Sequence, residues 1–154
     1  MKKKLYVFLI ITLLIISMYL IINLIANKIF ATNNNSTSNL QLIARAINGE
    51  ARGETYEGQV AVGAVIMNRV KHSDFPNTIA GVIYQPGAFT AVSNGQINHP
   101  ISKSSTVIKA AQDAINGWDP TNGCIYYFNP DKTTNSWIWS RKIVKKIGNH
   151  NFCK

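Results

Sequence analysis

The apolar positions of the chain fall into three regimes. From Leu5 to Ala26 they are almost uninterrupted: 22 residues without a charge, with only Thr12, Ser17 and Asn23 as clearly polar breaks. About 20 apolar residues suffice to cross a bilayer as a helix. From residue 38 the pattern becomes amphipathic. Leu40, Ile43, Ala44 and Ile47 stand at i, i+3, i+4 and i+7, one stripe of a helix, and residues 57–71 repeat the rhythm with Val60, Ala61, Ala64, Val65 and Met67. A short helix is predicted over 78–85 behind a cap at Asn77, and another over 104–116 with Val107, Ile108, Ala111, Ala114 and Ile115 inward and Gly117 as its stop. After residue 123 the signals turn to strand: Cys124–Phe128, the aromatic run Trp137-Ile138-Trp139, and Arg141–Ile147, with Asn129-Pro130-Asp131 as a turn. Helices first and a small antiparallel sheet last predict an α+β domain.

Local signals refine these elements. Ser38 with Gln41 fits a capping box for a helix beginning near Asn39, and Thr55 fits the cap of the next, with Glu57 in its first turn. Gly58 and Gly63 weaken that second helix and so suggest close packing against the first. Residues 86–100 form a long segment rich in turn signals, Pro86-Gly87, Asn94-Gly95 and His99-Pro100.

Charge places the apolar start in context. Lys2, Lys3 and Lys4 precede it and Lys28 follows, which favours an amino terminus left in the cytoplasm. The expected organisation is a basic start at 1–4, a transmembrane anchor at 5–26, a linker at 27–37 and a single domain at 38–154. A cleavable signal peptide is the rival reading; its apolar region usually spans about 7–15 residues, shorter than this one, although Ile29-Phe30-Ala31 forms a loose cleavage site. Either reading puts the domain outside the cytoplasm.

The net charge is +9; without Lys2, Lys3, Lys4 and Lys28 there remain 12 basic and 7 acidic residues, a net of +5. Arg141, Lys142, Lys145, Lys146 and Lys154 crowd the last fourteen positions. Such a field suits an anionic polymer. The span argues against nucleic acid and leaves the cell envelope, and a monomer is expected. The only two cysteines, Cys124 and Cys153, can pair in an oxidising compartment; two isolated thiols fit equally well.

For chemistry, His72, His99 and His150 are scattered and the cysteines lack zinc-ligand spacing, so neither a metal nor another cofactor is expected. There is no nucleophile-elbow serine and no phosphate-cradling glycine loop. Carboxylates and aromatics remain. Glu50, Glu54 and Glu57 lie within eight positions, and Glu50 ends the first helix between Gly49 and Gly53. A carboxyl held by rigid elements and partly screened from water can serve as a general acid; a solvated charged turn is the competing reading. Tyr84, Tyr126, Tyr127, Trp137 and Trp139 are candidates for a sugar-binding groove, with core filling as the alternative. Gln85, Asn94, Gln96 and Asn129 supply amides for sugar hydroxyls. Acid catalysis of glycoside cleavage needs one protonated carboxyl at the leaving oxygen, usually with a second carboxylate.

The runs IARAINGEARGETYEGQVAVGAVIMNRV (43–70), FPNTIAGVIYQPGAFTAV (75–92), AAQDAINGWDPTNGCIYYFNP (110–130) and IGNHNFCK (147–154) together resemble the SleB/CwlJ-type cell-wall hydrolases, a family that includes spore cortex-lytic enzymes. The resemblance covers nearly all of 40–154. It implies a small lysozyme-like helical domain with a C-terminal antiparallel hairpin or small sheet, and cleavage of peptidoglycan glycan strands by a lytic transglycosylase or a muramidase or glucosaminidase. The family's catalytic glutamate falls on Glu50. Its surroundings map onto Arg52, Glu54, Tyr56, Glu57, Gly58, Gln59, Phe89, Thr90, Tyr127, Asn129 and His150. An export-type start on a bare catalytic domain departs from the family's pattern, and leaves wall trimming during growth or sporulation beside cortex lysis. A stem-peptide amidase and a non-catalytic wall-binding module are the rival functions.

Overall fold

The computed structural model describes residues 2–154; Met1, first residue of the expected basic start, lies outside the described residues. Two compact units result, one up to Thr37 and one over Ser38–Lys154. The first helix, α1 (Lys2–Ala51), contributes to both. In the first unit it is the one described helix long and apolar enough to cross a membrane, with a mean hydropathy of 2.8 over its most apolar stretch. The polar residues 31–39, read as a linker, are helical. They contain no proline or glycine, and the Thr32 and Thr37 hydroxyls bond back to the Lys28 and Asn33 carbonyls at 2.9 and 3.0 Å. Ser38 therefore lies inside a helix and caps nothing. Its expected partner Gln41 instead exchanges hydrogen bonds with the backbone of Ile101, Nε2 to the carbonyl at 3.2 Å and the amide to Oε1 at 3.3 Å.

The second unit is built around α2 (Tyr56–Lys71), which packs against α5 (Thr106–Ile115) and the end of α1. Of the predicted stripes, Ile43, Ala44, Ile47, Val60, Ala61, Ala64 and Val65 are buried and Leu40 and Met67 partly so, while Ala46, Val62 and Ile66 are buried beyond them. Burying a side chain of the Val or Ile type contributes about 1.5–3 kcal/mol relative to exposure. Gly63 is the close approach: a Cβ there would meet the Ala114 side chain at 2.9 Å and Ile47 at 3.1 Å. Gly58 differs from expectation, because its neighbours are Glu54 and Thr55 in its own cap and not another helix. Thr55 caps α2 as predicted, accepting from the Gly58 amide at 3.2 Å. The next helix, α3 (Ile79–Ile83), is capped by Thr78 and not by Asn77.

Two further departures lie near the groove described below. The segment 86–100, read as a loop, holds α4 (Thr90–Ser93) and a 3-10 turn at Gln96–Asn98, with Gly87 and Gly95 at φ of +74° and +78° supplying the bends. The run Trp137-Ile138-Trp139 is not a strand but the helical turn α6 (Ser136–Trp139), because Asn135 caps it by accepting from the Trp137 amide at 3.1 Å. The strands are β1 (Tyr126–Phe128), β2 (Ile143–Ile147) and β3 (His150–Cys153), all antiparallel in the order β1-β3-β2. The domain is thus α+β, mostly helical with a small three-stranded sheet. Cys124 and Cys153 are both buried free thiols, so the pairing left open by the sequence is not made here.

Candidate active site

A groove of about 1000 Å³ runs between the end of α1, the 85–90 segment, β1 and the β2–β3 hairpin. Glu50 lies in its wall. Its position follows from Gly49: a Cβ there would collide with the side chain of Ala91, so α1 and α4 can approach only because the residue is glycine. That approach brings the Ala91 amide within 2.9 Å of Glu50 Oε1, to which it donates. The other oxygen, Oε2, accepts from the Tyr127 hydroxyl at 3.3 Å.

Tyr127 is held from two sides. Its ring meets His150 edge-on at 5.3 Å and Phe152 at 5.9 Å. Burial first, and then the negative charge of Glu50, push its hydroxyl well above 10, although Arg69 pulls the other way. It is therefore a proton-bearing donor at neutral pH. A tyrosine hydroxyl can donate to a carboxylate and accept from a carboxylic acid, so Tyr127 can partner Glu50 in either protonation state.

Glu54 is committed elsewhere. Its Oε2 accepts from the Asn149 amide at 3.0 Å and its Oε1 from the Asn149 side chain at 3.1 Å, which ties the α1–α2 turn to the β2–β3 hairpin. Gly148 makes room for it, since a Cβ there would overlap Glu54 Oε2. Burial alone would raise the Glu54 carboxyl, but the two Asn149 bonds, with His150 and Lys132 nearby, outweigh it and the net shift is downward. His150 is buried, with Nδ1 lacking a hydrogen-bond partner 3.7 Å from Glu54 Oε1. Burial lowers its basicity below the usual 6.5, against the opposing charges of Glu54 and Glu50.

Of the residues proposed from sequence, Glu50, Arg52, Glu54, Thr90, Tyr127, Asn129 and His150 line this groove. Four do not. Tyr56 donates to Asp113 on α5 at 2.6 Å, and burial and that carboxylate raise its hydroxyl to about 12. Glu57 pairs with Lys145 at 3.2 Å on the surface. Gln59 is buried and donates to the Glu54 carbonyl at 3.3 Å. Phe89 is buried beneath the guanidinium of Arg69 at 5.4 Å. Among the aromatics, Tyr126 and Trp137 line the groove, Trp137 at 45 % exposure, whereas Tyr84 and Trp139 lie outside its lining. Arg69 and Phe75 line it too and were missed. Arg69 had a signal: it follows Val62, Val65 and Ile66 on the buried stripe of α2, where a charge is out of place.

The site thus consists of a carboxylate held by two donors in a groove walled with aromatics and amides. The family model for cell wall hydrolases matches residues 53–153, and the chain belongs to that family. It is 57 % identical over 122 residues to a spore cortex-lytic enzyme of Bacillus cereus, covering 79 % of this chain and 46 % of that protein. To the cell wall hydrolase CwlJ of Bacillus subtilis it is 32 % identical, covering 76 % of this chain and 85 % of that one. The solved catalytic domain of SleB from Bacillus anthracis, a germination-specific lytic transglycosylase, matches with a TM-score of 0.72 at 58 % identity, covering 75 % of this chain and 93 % of that domain. The chain spans less than half the length of the spore cortex-lytic relative it matches.

Proposed function

We propose that the domain cleaves the glycan backbone of peptidoglycan, with Glu50 as the general acid. The observation that carries this reading is the geometry of Glu50: one carboxyl oxygen on the Ala91 amide, the other on the Tyr127 hydroxyl, in the wall of a groove of about 1000 Å³. Glu50 passes its proton to the bridging oxygen, the bond from that oxygen to C1 breaks, and the leaving sugar departs as an alcohol. Positive charge then develops at C1 and the adjoining ring oxygen. Attack by water gives a reducing end; attack by the muramic 6-hydroxyl gives a 1,6-anhydro sugar. In both, the attacking oxygen releases a proton that Glu50, now a carboxylate, can take back.

A second catalytic carboxylate has no candidate among the other two glutamates of this stretch. Glu54 is occupied by Asn149, and Glu57 by Lys145 outside the groove. A single acid with an internal nucleophile needs no second carboxylate, so the site favours the anhydro route; the similar SleB domain from Bacillus anthracis is named a lytic transglycosylase. The apolar part of α1 would tether the domain to a membrane with the groove on the wall side, serving cortex lysis or wall remodelling. Mass spectrometry of peptidoglycan digested by the full chain tests the reaction. New glycan ends, with anhydro-muramic acid, are expected; new peptide amino groups without glycan ends would instead identify an amidase or peptidase.

A further inference from the structure

Arg69 is the only buried arginine among the described residues, at 8 % exposure, and none of their carboxylates forms an ion pair with it. A guanidinium taken from water without an anion is costly. What it has instead is one hydrogen bond, from Nε to the Ile125 carbonyl at 2.7 Å, and the rings of Phe75, Phe89 and Tyr126 at 5.2, 5.4 and 5.7 Å. Its two Nη groups make no hydrogen bond to protein, and the residue lines the groove. Arg141 lies over the same Tyr126 ring at 5.1 Å and over Trp137 at 4.2 Å, again without an ion pair. Arg141 is not among the residues lining the groove, which leaves Arg69 as the buried guanidinium in its wall. The groove's own glutamates are engaged by Ala91, Tyr127 and Asn149.

We infer that Arg69 forms a carboxylate-binding subsite, so that the groove reads an anionic substituent of the glycan strand as well as its sugars. The paired Nη groups of a guanidinium match a carboxylate bidentately, and a low-dielectric aromatic surround strengthens that pairing. The inference rests on the glycan-strand reading above. Peptidoglycan carries carboxylates in two places, on the stem peptides and, where the peptide is absent, on the lactyl ether of muramic acid.

The test measures binding of soluble strands to the Glu50→Gln chain by calorimetry. Two pairs are compared: peptide-bearing strands with carboxylates free or amidated, and peptide-stripped strands with lactyl carboxylates free or amidated. Amidation is expected to weaken binding roughly tenfold in at least one pair, the worth of a charge-assisted hydrogen bond, and the affected pair names the source. Adding Arg69→Gln should erase the discrimination, and Arg69→Lys should retain part of it. Equal affinity within both pairs, or no binding to any strand, overturns the subsite without recourse to a variant at Arg69. A folded Arg69→Gln variant that still discriminates overturns the assignment to Arg69. Wild-type digests that release only peptides would defeat the glycan reading separately.

Discussion

Tyr127 and Glu50 stand 77 positions apart in sequence and meet through a 3.3 Å hydrogen bond from the hydroxyl to Oε2. The bond makes β1 part of the machinery that aims a carboxyl at the end of α1. Replacing Tyr127 with phenylalanine keeps the ring packed on His150 and Phe152 and removes only the donor. We expect kcat to fall roughly tenfold or more, the scale of one hydrogen bond to a charged group, with melting temperature nearly unchanged. Steady-state release of glycan fragments checks it; an unaltered kcat would remove Tyr127 from the site.

Gly49 and Gly53 flank the same turn and make opposite predictions. A methyl at Gly49 meets the Ala91 side chain, whereas a methyl at Gly53 meets nothing within 4 Å. Gly49→Ala should cost about 1–3 kcal/mol by overpacking and shift the Ala91 amide away from Glu50, lowering activity as well. Gly53→Ala should leave both nearly unchanged. Thermal unfolding and wall-lysis rates of the two variants decide the matter.

Acid should destabilise the domain in two stages. His150 binds its proton less readily when folded than the ordinary 6.5 of the unfolded chain, because it is buried. The unfolded state therefore takes up protons first, and stability declines as pH drops through 6.5. Glu54 behaves as a depressed acid: its contribution is present above the ordinary 4.5 and is lost as pH falls through its lower folded value. Asn149→Ala removes the side-chain half of the Glu54 clasp. Its deficit against wild type, followed by urea unfolding across pH, should be largest above 4.5 and shrink below it.

Trp137 lines the groove at 45 % exposure, with the Arg141 guanidinium over its ring at 4.2 Å and Tyr126 edge-on at 5.1 Å. Sugars stack on aromatic faces. Trp137→Ala should raise KM several-fold through roughly 1 kcal/mol of lost contact, with kcat and stability little changed. A fall in kcat at constant KM would place the residue at the reacting bond instead.

Much of the helical body is legible in the sequence, because Ile43, Ala44, Ile47, Val60 and Val65 follow the period of a buried face and Thr55 marks a cap by its chemistry. Glu50 could be singled out for its place between two helices and two glycines. Its partners could not be chosen on physical grounds, since the Ala91 amide and the Tyr127 hydroxyl arrive by tertiary contact. Trp137-Ile138-Trp139 reads as strand by residue type; the Asn135 cap and a position between turns make it helical instead. Arg69 shows how a charge on a buried stripe carries information that composition hides. The polar residues 31–39 look like linker by composition, yet with no proline or glycine nothing in them breaks a helix.

The central claim is that Glu50 delivers the proton that breaks the glycan strand. Glu50→Gln retains an oxygen that can accept a hydrogen bond and removes the transferable proton. Incubated with purified peptidoglycan, the folded variant should bind the wall nearly as well as wild type while release of glycan fragments falls by roughly a thousandfold or more, the upper range of a lost general acid. Glycan release at a near wild-type rate from that variant would contradict the account.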